Sequence, residues 1–360
     1  MPATQTRHVA VIGGGYAGMA AAVTLAQHGI KVTVYEAGKV LGGRARKIRL
    51  PQLDTALDNG QHLLLGAYQT TLALAQLVNP NAINWLRQPL QLHTEGGLQL
   101  KAPTLPAPLN TLIALLTAHG ISMTHRLAAI RFMLKQHIRG FKMTHDCSVA
   151  QLLANQPDAL IKLLWEPLCL AALNTPITTA SAQVFLNVLR DSLTRSRQDS
   201  DLILPTIDLS ALFPDPAADY IRRLGGEVHL QYRIKDITSV SNGYLVDQHK
   251  HSDVICAVAP HQAAALISSL PELAPLHIQL AQFSYQPITT IYLQYPADVR
   301  LKLAMTGLSD TMTQWVFDRD ISHQQHGLLA AVISTAGEHS TLDHDALAKR
   351  VANELHHALG

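Results

Sequence analysis

Short runs of β-branched apolar residues alternate along this chain with longer segments of helical apolar spacing, a pattern that predicts an α/β fold. Val9-Ala10-Val11-Ile12 is the first such run, and three glycines, Gly13, Gly14 and Gly15, stop it. An alanine-rich helical pattern follows over 17–28 and ends at Gly29, a natural residue for the position after a helix. Lys31-Val32-Thr33-Val34-Tyr35 reads as a second strand that delivers an acid, Glu36. Farther on, the apolar run Leu63-Leu64-Leu65 leads towards a helix through Tyr68, and 126–142 has helical spacing with many basic positions. A helix over 216–224 precedes two short strands, one in 225–230 and one over 234–237. A buried strand over 253–259 stops at Pro260, 284–294 and 327–334 alternate like strands, and 343–359 reads as a helix.

The corner between the first strand and the first helix carries the chemistry. Gly13 would give the turn its unusual dihedrals, Gly15 would let the backbone approach a phosphate, and Gly18 would let the helix pack on the strand. The first-turn N–H groups, those of Tyr16, Ala17 and Gly18, would face the pyrophosphate of a dinucleotide, with ~0.3–1 kcal/mol from the helix dipole. Glu36 would accept hydrogen bonds from the adenosine ribose hydroxyls and repel a 2′-phosphate. The plainer alternative is a βαβ unit whose glycine turn is only structural; the flanking strand, helix and acid favour the nucleotide reading.

With 360 residues the chain can bury a large core, and two domains are expected. A net charge of +2 gives no reason to propose nucleic acid as a partner. A composition 48% hydrophobic and 15% charged suits a protein that handles a greasy substrate, and equally a large core. Cys147, Cys169 and Cys256 are widely spaced and form no C-x-x-C pattern, which suggests reduced thiols in a cytoplasmic compartment. The run at Val9 breaks too early for a signal peptide, and no uncharged apolar stretch approaches the roughly eighteen residues of a spanning helix. Nineteen histidines are scattered without an H-E-x-x-H pattern, so no metal site is expected.

Three stretches together, GGGYAG, YEAGKVLGGRA and LDNGQHLLLGAY, resemble the N-terminal signature of the flavin-containing amine oxidase and carotenoid desaturase superfamily. The stretch from Leu164-Trp165-Glu166-Pro167 to Asn174-Thr175, then Ala180-Ser181-Ala182 and Phe185, and Asp208-Leu209-Ser210-Ala211-Leu212-Phe213-Pro214 resemble one group within it. These are the hydroxysqualene dehydroxylases, the squalene-associated FAD-dependent desaturases of bacterial hopanoid and squalene pathways. The resemblance implies a Rossmann-like FAD-binding domain interleaved with a mixed α+β substrate domain. The expected boundaries are 1–75 and 205–265 for FAD, with 76–204 and 266–360 for substrate. FAD would be held by Gly13, Gly15, Tyr16, Ala17, Gly18, Glu36 and Ala37, by Gly43 and Arg44 as a second approach, by Gly60, Gln61 and His62 near the flavin ring, and by backbone atoms of Ile234 at adenine. On its own, the Asp58–His62 segment reads equally as a capped turn. The implied reaction is reductive removal of the hydroxyl of hydroxysqualene, with hydride passing from reduced flavin to an allylic carbon as water leaves. Candidates for the acid are His62 and Glu166; Glu166 reads equally as an ion-pair partner at a helix end.

Residues 96–145 hold six Lys or Arg (Lys101, Arg126, Arg131, Lys135, Arg139, Lys142) and no Asp or Glu. Leu127, Ile130, Met133, Leu134, Ile138 and Phe141 recur among them at helical spacing, which suggests docking on an anionic membrane surface or, alternatively, a core helix with solvated charges. The resemblance implies a long apolar isoprenoid and upstream squalene-pathway enzymes as partners, and the basic helix suggests the inner membrane face. Superfamily members end with a glycine–Asp motif and a helix facing the flavin; none precedes Gly360, which implies a truncated chain or a changed flavin end. Rival readings are a carotenoid- or phytoene-type desaturase, an amine oxidase-like flavoenzyme, and a non-catalytic flavoprotein remnant or binding subunit.

Overall fold

The computed structural model describes residues 7–50 and 55–359. The chain divides into two units, one of residues 1–59, 70–84 and 207–285, the other of 60–69, 85–206 and 286–360. Residues 60–69, 76–84, 205–206 and 266–285 fall differently from the boundaries drawn on the sequence. Residues 60–69 join the second unit because Leu64–Leu65 pairs antiparallel with Leu202–Pro205. Residues 266–285 join the first because Ile267, Leu270, Leu273 and Leu280 pack into its core.

The first unit is built on a four-stranded parallel sheet, in the order Glu227–His229, Lys31–Tyr35, His8–Ile12, Asp253–Cys256. Parallel strands need crossovers, and the helix Tyr16–Gln27 supplies the first of them. It packs against the helix Pro214–Arg223. Alternation along His8–Ile12 sends Ala10 and Ile12 into a cluster with Ile234, Ile237, Val246 and Ile267, and turns Val9 and Val11 to the opposite face. A three-stranded meander, Ile237–Val240, Gly243–Val246 and His249–His251, contributes to that cluster. The segment 232–236 is not a strand, so of the expected 234–237 only Ile237 enters one. The strand expected over 253–259 ends at Cys256, so Pro260 does not terminate it. It opens the helix Pro260–Ile267, where a proline's missing N–H costs nothing.

The second unit holds a mixed six-stranded sheet, in the order Ile288–Gln294, Leu328–Ser334, Trp315–Asp318, Met305–Leu308, Gln91–Glu95, Gln99–Lys101. Leu328–Ser334 is buried throughout. One face, with Val316, Leu329, Ala331 and Ile333, packs on Leu347, Val351 and Leu355 of the helix His344–Leu359. A helical core gathers Phe132, Leu164, Trp165, Phe185, Leu186 and Leu189, with the Phe132 and Trp165 rings 5.0 Å apart. Gly360 lies outside the described residues. Among the described residues no helix is long and apolar enough to cross a membrane.

A ring cluster lies where the parallel sheet meets the meander. His251 is 2% exposed, its ring is 4.4 Å from that of His8, and its Nε2 is 3.2 Å from the Tyr35 hydroxyl. Burial above all, and then the neighbouring His8 and His249, push the His251 pKa down from 6.5 to about 4. The unfolded chain therefore binds more protons than the folded one between these values. Stability is full above pH 6.5 and is lost as pH falls through about 4. In urea titrations, unfolding free energy should decline over this window by up to about 3 kcal/mol, and His251→Phe should flatten the decline. An unchanged slope in that variant would remove His251 as its cause.

Candidate functional site

Each glycine of the first corner has a distinct physical duty. Gly13 sits at φ +109°, which side chains rarely adopt, and its N–H donates to Tyr35 O at 2.8 Å. A Cβ on Gly18 would lie 1.9 Å from Gly13 O, so only glycine lets the helix reach the strand. Gly15 differs from both. It is extended (φ −75°, ψ 177°), and the nearest atom to a Cβ there would be Gly43 Cα at 3.8 Å. The space before Gly15 is open, and the helix behind it starts with no side-chain cap and no acid in its first turn. Its leading N–H groups have no intrahelical acceptor, which is what an anion requires.

Glu36 is held from both sides of its own peptide. Its N–H donates to His229 O and its C=O accepts from the Tyr232 N–H, each at 2.9 Å. Its carboxylate accepts from the Gly14 N–H (2.7 Å, Oε2) and the Gly38 N–H (2.6 Å, Oε1). A carboxylate has about four acceptor sites, so each oxygen keeps one for a hydroxyl donor. Ala37 follows Glu36 in the same loop. Gly43, at φ +62°, faces Gly15 backbone to backbone, beside the parallel bridge of Gly15 and Gly42. Arg44 is exposed. Ile234 is 6% exposed, and neither its N–H nor its C=O makes a backbone hydrogen bond among the described residues.

The stretch from Asp208 to Pro214 locks this corner. Asp208 caps the turn that begins at Leu209, accepting from the Ala211 N–H. Leu209 accepts from the Tyr16 hydroxyl at 2.7 Å and donates its N–H to Asp58 Oδ1 at 2.8 Å. Ser210 Oγ donates to Leu41 O and accepts from the Lys47 N–H. Burial, with Asp58 and Asp208 close by, holds the Tyr16 phenol well above its ordinary pKa, so it remains a neutral donor. The side chain of Tyr16 is thus an anchor, and only its backbone could serve a ligand.

In the second unit, Gly60, Gln61 and His62 form a half-buried turn. His62 Nδ1 is paired with Gly60 O, and since a carbonyl only accepts, Nδ1 carries the proton. In the neutral ring Nε2 is then an acceptor, and it donates only as imidazolium. The Gln61 N–H donates to Thr290 Oγ1 at 3.2 Å, and its Oε1 accepts from Arg319 at 2.8 Å. No sequence motif pointed to Thr290 or Arg319, because both lie over two hundred residues from the turn.

Glu166 opens the helix Glu166–Leu173 directly after a π-turn over Ile161–Trp165. Pro167 has no N–H to continue the i→i−4 ladder, and the wider turn absorbs the gap. The Glu166 carboxylate is half-buried and has no hydrogen bond or ion pair among the described residues, so the ion-pair alternative finds no partner there. Burial, with Glu166 nearby, pushes the Cys169 thiol up to about 11. Asn174 ends the helix in the left-handed region (φ 48°), where its amide donates to Gln286 O and Pro287 O and accepts from the Thr335 N–H. Among the described residues no group of His, Cys, Asp and Glu could hold a metal ion.

Comparison with known proteins agrees with this geometry. The chain is similar to the hydroxysqualene dehydroxylase of Zymomonas mobilis, 24% identical over 96% of this chain and 80% of that protein. It is 26% identical to that of Rhodopseudomonas palustris, over 87% of this chain and 73% of that protein. In fold it resembles an oxidoreductase from Methanosarcina mazei, with a TM-score of 0.74 at 15% identity over 97% of this chain and 83% of that one. The family model described as flavin containing amine oxidoreductase matches residues 16–360. With a corner whose open face at Gly15 fits a pyrophosphate, the chain belongs to the flavin-containing amine oxidoreductase family and is an FAD-dependent oxidoreductase.

Proposed function

We propose that the substrate is a long apolar isoprenoid and that the reaction is reductive dehydroxylation of hydroxysqualene to squalene. The likeness to a hydroxysqualene dehydroxylase over 96% of this chain carries the reading. When bound in its reduced form, FAD would supply the hydride for the carbon that loses its oxygen. The protein supplies a proton to the departing hydroxyl, which leaves as water, and excludes bulk solvent from the reacting carbon. Gly13, Gly15, Gly18 and the first helical N–H groups hold the pyrophosphate, Glu36 the ribose and the Ile234 backbone the adenine. The turn at Gly60–Gln61–His62 serves the flavin end. Glu166 fits the acid best, as a half-buried carboxyl without an ion-pair partner among the described residues. His62 Nε2 could take the role as imidazolium.

Reduced enzyme incubated with hydroxysqualene should yield squalene. Absence of squalene, with a conjugated polyene formed from a more saturated isoprenoid by the oxidised enzyme, would replace this reading with oxidative desaturation. Glu166→Gln should lower turnover by about 10²-fold or more without loss of bound flavin, and full turnover would exclude Glu166 as the acid.

Gly15→Val tests the cradle cleanly. The extended backbone accepts a side chain and the first neighbour of its Cβ is 3.8 Å away, so the apoprotein should melt like wild type while FAD binding is lost. Retained flavin would show that the loop does not hold phosphate. Glu36→Ala should weaken FAD by about tenfold or more. It should also lower the melting temperature, because the Gly14 and Gly38 donors lose their acceptor. Unchanged affinity in a titration would remove the ribose role.

We also propose peripheral docking on an anionic membrane. The helix Met123–Ile138 buries Ala129, Phe132, Met133 and Gln136. Its other side exposes Met123, Leu127, Leu134 and Ile138, the last at 85%, beside Arg131 and Lys135. The apolar positions at helical spacing therefore do not share one face, since Met133 and Phe141 point inward while Leu127, Leu134 and Ile138 point outward. Each basic residue near an anionic surface adds up to ~1 kcal/mol. Changing Arg131, Lys135 and Arg139 to Glu should abolish binding to anionic vesicles and leave the flavin spectrum intact. If wild type shows no preference for anionic over neutral vesicles at low salt, docking is excluded.

A further inference from the structure

The Gly60–Gln61–His62 turn is held by a buried cation that the reaction scheme above does not use. Arg319 is wholly buried at the start of the short helix Arg319–His323. That helix start is itself fixed, because Asp318 accepts from the Asp320 N–H at 2.9 Å and from the Leu301 N–H at 2.8 Å. The guanidinium lies 5.7 Å from the Tyr292 ring centroid. Its Nε donates to Gln325 Oε1 at 2.6 Å and its NH1 to Gln61 Oε1 at 2.8 Å. Thr290, two residues before Tyr292 on the same face of Ile288–Gln294, accepts the Gln61 N–H. Gln61 is therefore gripped at its backbone and at the end of its side chain.

A guanidinium has donors only, so an amide beside it must turn its oxygen inward. The Gln61 NH₂ group consequently points away from Arg319, and it has no acceptor among the described residues. A neutral amide that could rotate freely would offer oxygen or nitrogen indifferently; this one offers nitrogen. We infer that Arg319 is a positioning residue that fixes the Gln61 amide so that its NH₂ is a pre-oriented hydrogen-bond donor for an acceptor atom of the bound cofactor. This rests on the assignment of the turn to the flavin end of FAD. Orientation set before binding costs no ordering at the moment of binding, which is what a buried cation beside the amide provides.

Gln61→Glu separates the two functions of the side chain. It keeps an oxygen for Arg319 and removes the outward donor. The measurements are titration of apoprotein with FAD, the visible spectrum of the complex and the melting temperature of the apoprotein. The variant apoprotein should melt no lower than wild type, bind FAD at least about tenfold more weakly, and show displaced flavin bands. Arg319→Met should also weaken FAD in the wild-type background and have no further effect in a Gln61→Ala background, because the arginine acts only through that amide. Arg319→Lys, which retains donors, should recover part of the loss. If Arg319→Met does not fold, Gln61→Glu decides alone. Wild-type affinity and undisplaced bands in Gln61→Glu would overturn the inference while leaving FAD binding intact. Failure of wild type itself to bind FAD would instead overturn the assignment on which the inference rests.

Discussion

The contact between Gly18 and the carbonyl of Gly13 is the constraint on which the nucleotide corner depends. At 1.9 Å from a would-be Cβ, that carbonyl excludes every residue but glycine from position 18. The helix can then start close against the parallel sheet, with its uncapped first turn beside Gly15. Any added atom would push the helix off the strand and turn its N–H groups from the open space in front of the loop. Gly13 holds a left-handed φ with the Ala257 carbonyl 2.7 Å from a would-be Cβ, and Gly43 approaches Gly15 backbone to backbone. Backbone packed against backbone leaves main-chain donors with no side chains in the way, which is what the proposed phosphate site would use.

Glu36 has a structural duty that stands apart from the ribose role proposed for it. Its two oxygens join Gly14 and Gly38, and its peptide is pinned by His229 and Tyr232. The acid is oriented before any hydroxyl arrives, and the cost of ordering it is met in folding. The Tyr35 and His251 rings next to it link this loop to the meander, so a protonation event in the ring cluster bears on the stability of the strand Lys31–Tyr35 that precedes Glu36.

Two of the three stretches that resemble the hydroxysqualene dehydroxylases have architectural duties as well. Asp208–Pro214 ties Tyr16, Leu41, Lys47 and Asp58 together around the corner. In the stretch from Leu164 to Thr175, Trp165 fills the helical core, Pro167 forces a π-turn, and Asn174 clips a helix end to the backbone at Gln286, Pro287 and Thr335. Glu166 has no such partner among the described residues, and that sets it apart from its neighbours.

What the sequence determined by itself was the local chemistry of the first forty residues. The helix expected over 17–28 is Tyr16–Gln27, Gly29 takes φ +73°, and the second strand is Lys31–Tyr35 as read. Strand, glycine turn, helix and acid are neighbours in the chain, so their periodicity and residue types carry the structure directly. Tertiary structure decided the rest. It assigned 60–69 and 266–285 to their units through strand pairing and core packing. It also divided the apolar residues of 127–141 between core and surface, since helical spacing does not say which side meets the protein. Only the fold brings Thr290 and Arg319 to Gln61, and no local pattern marks them, because these contacts span more than two hundred residues of chain.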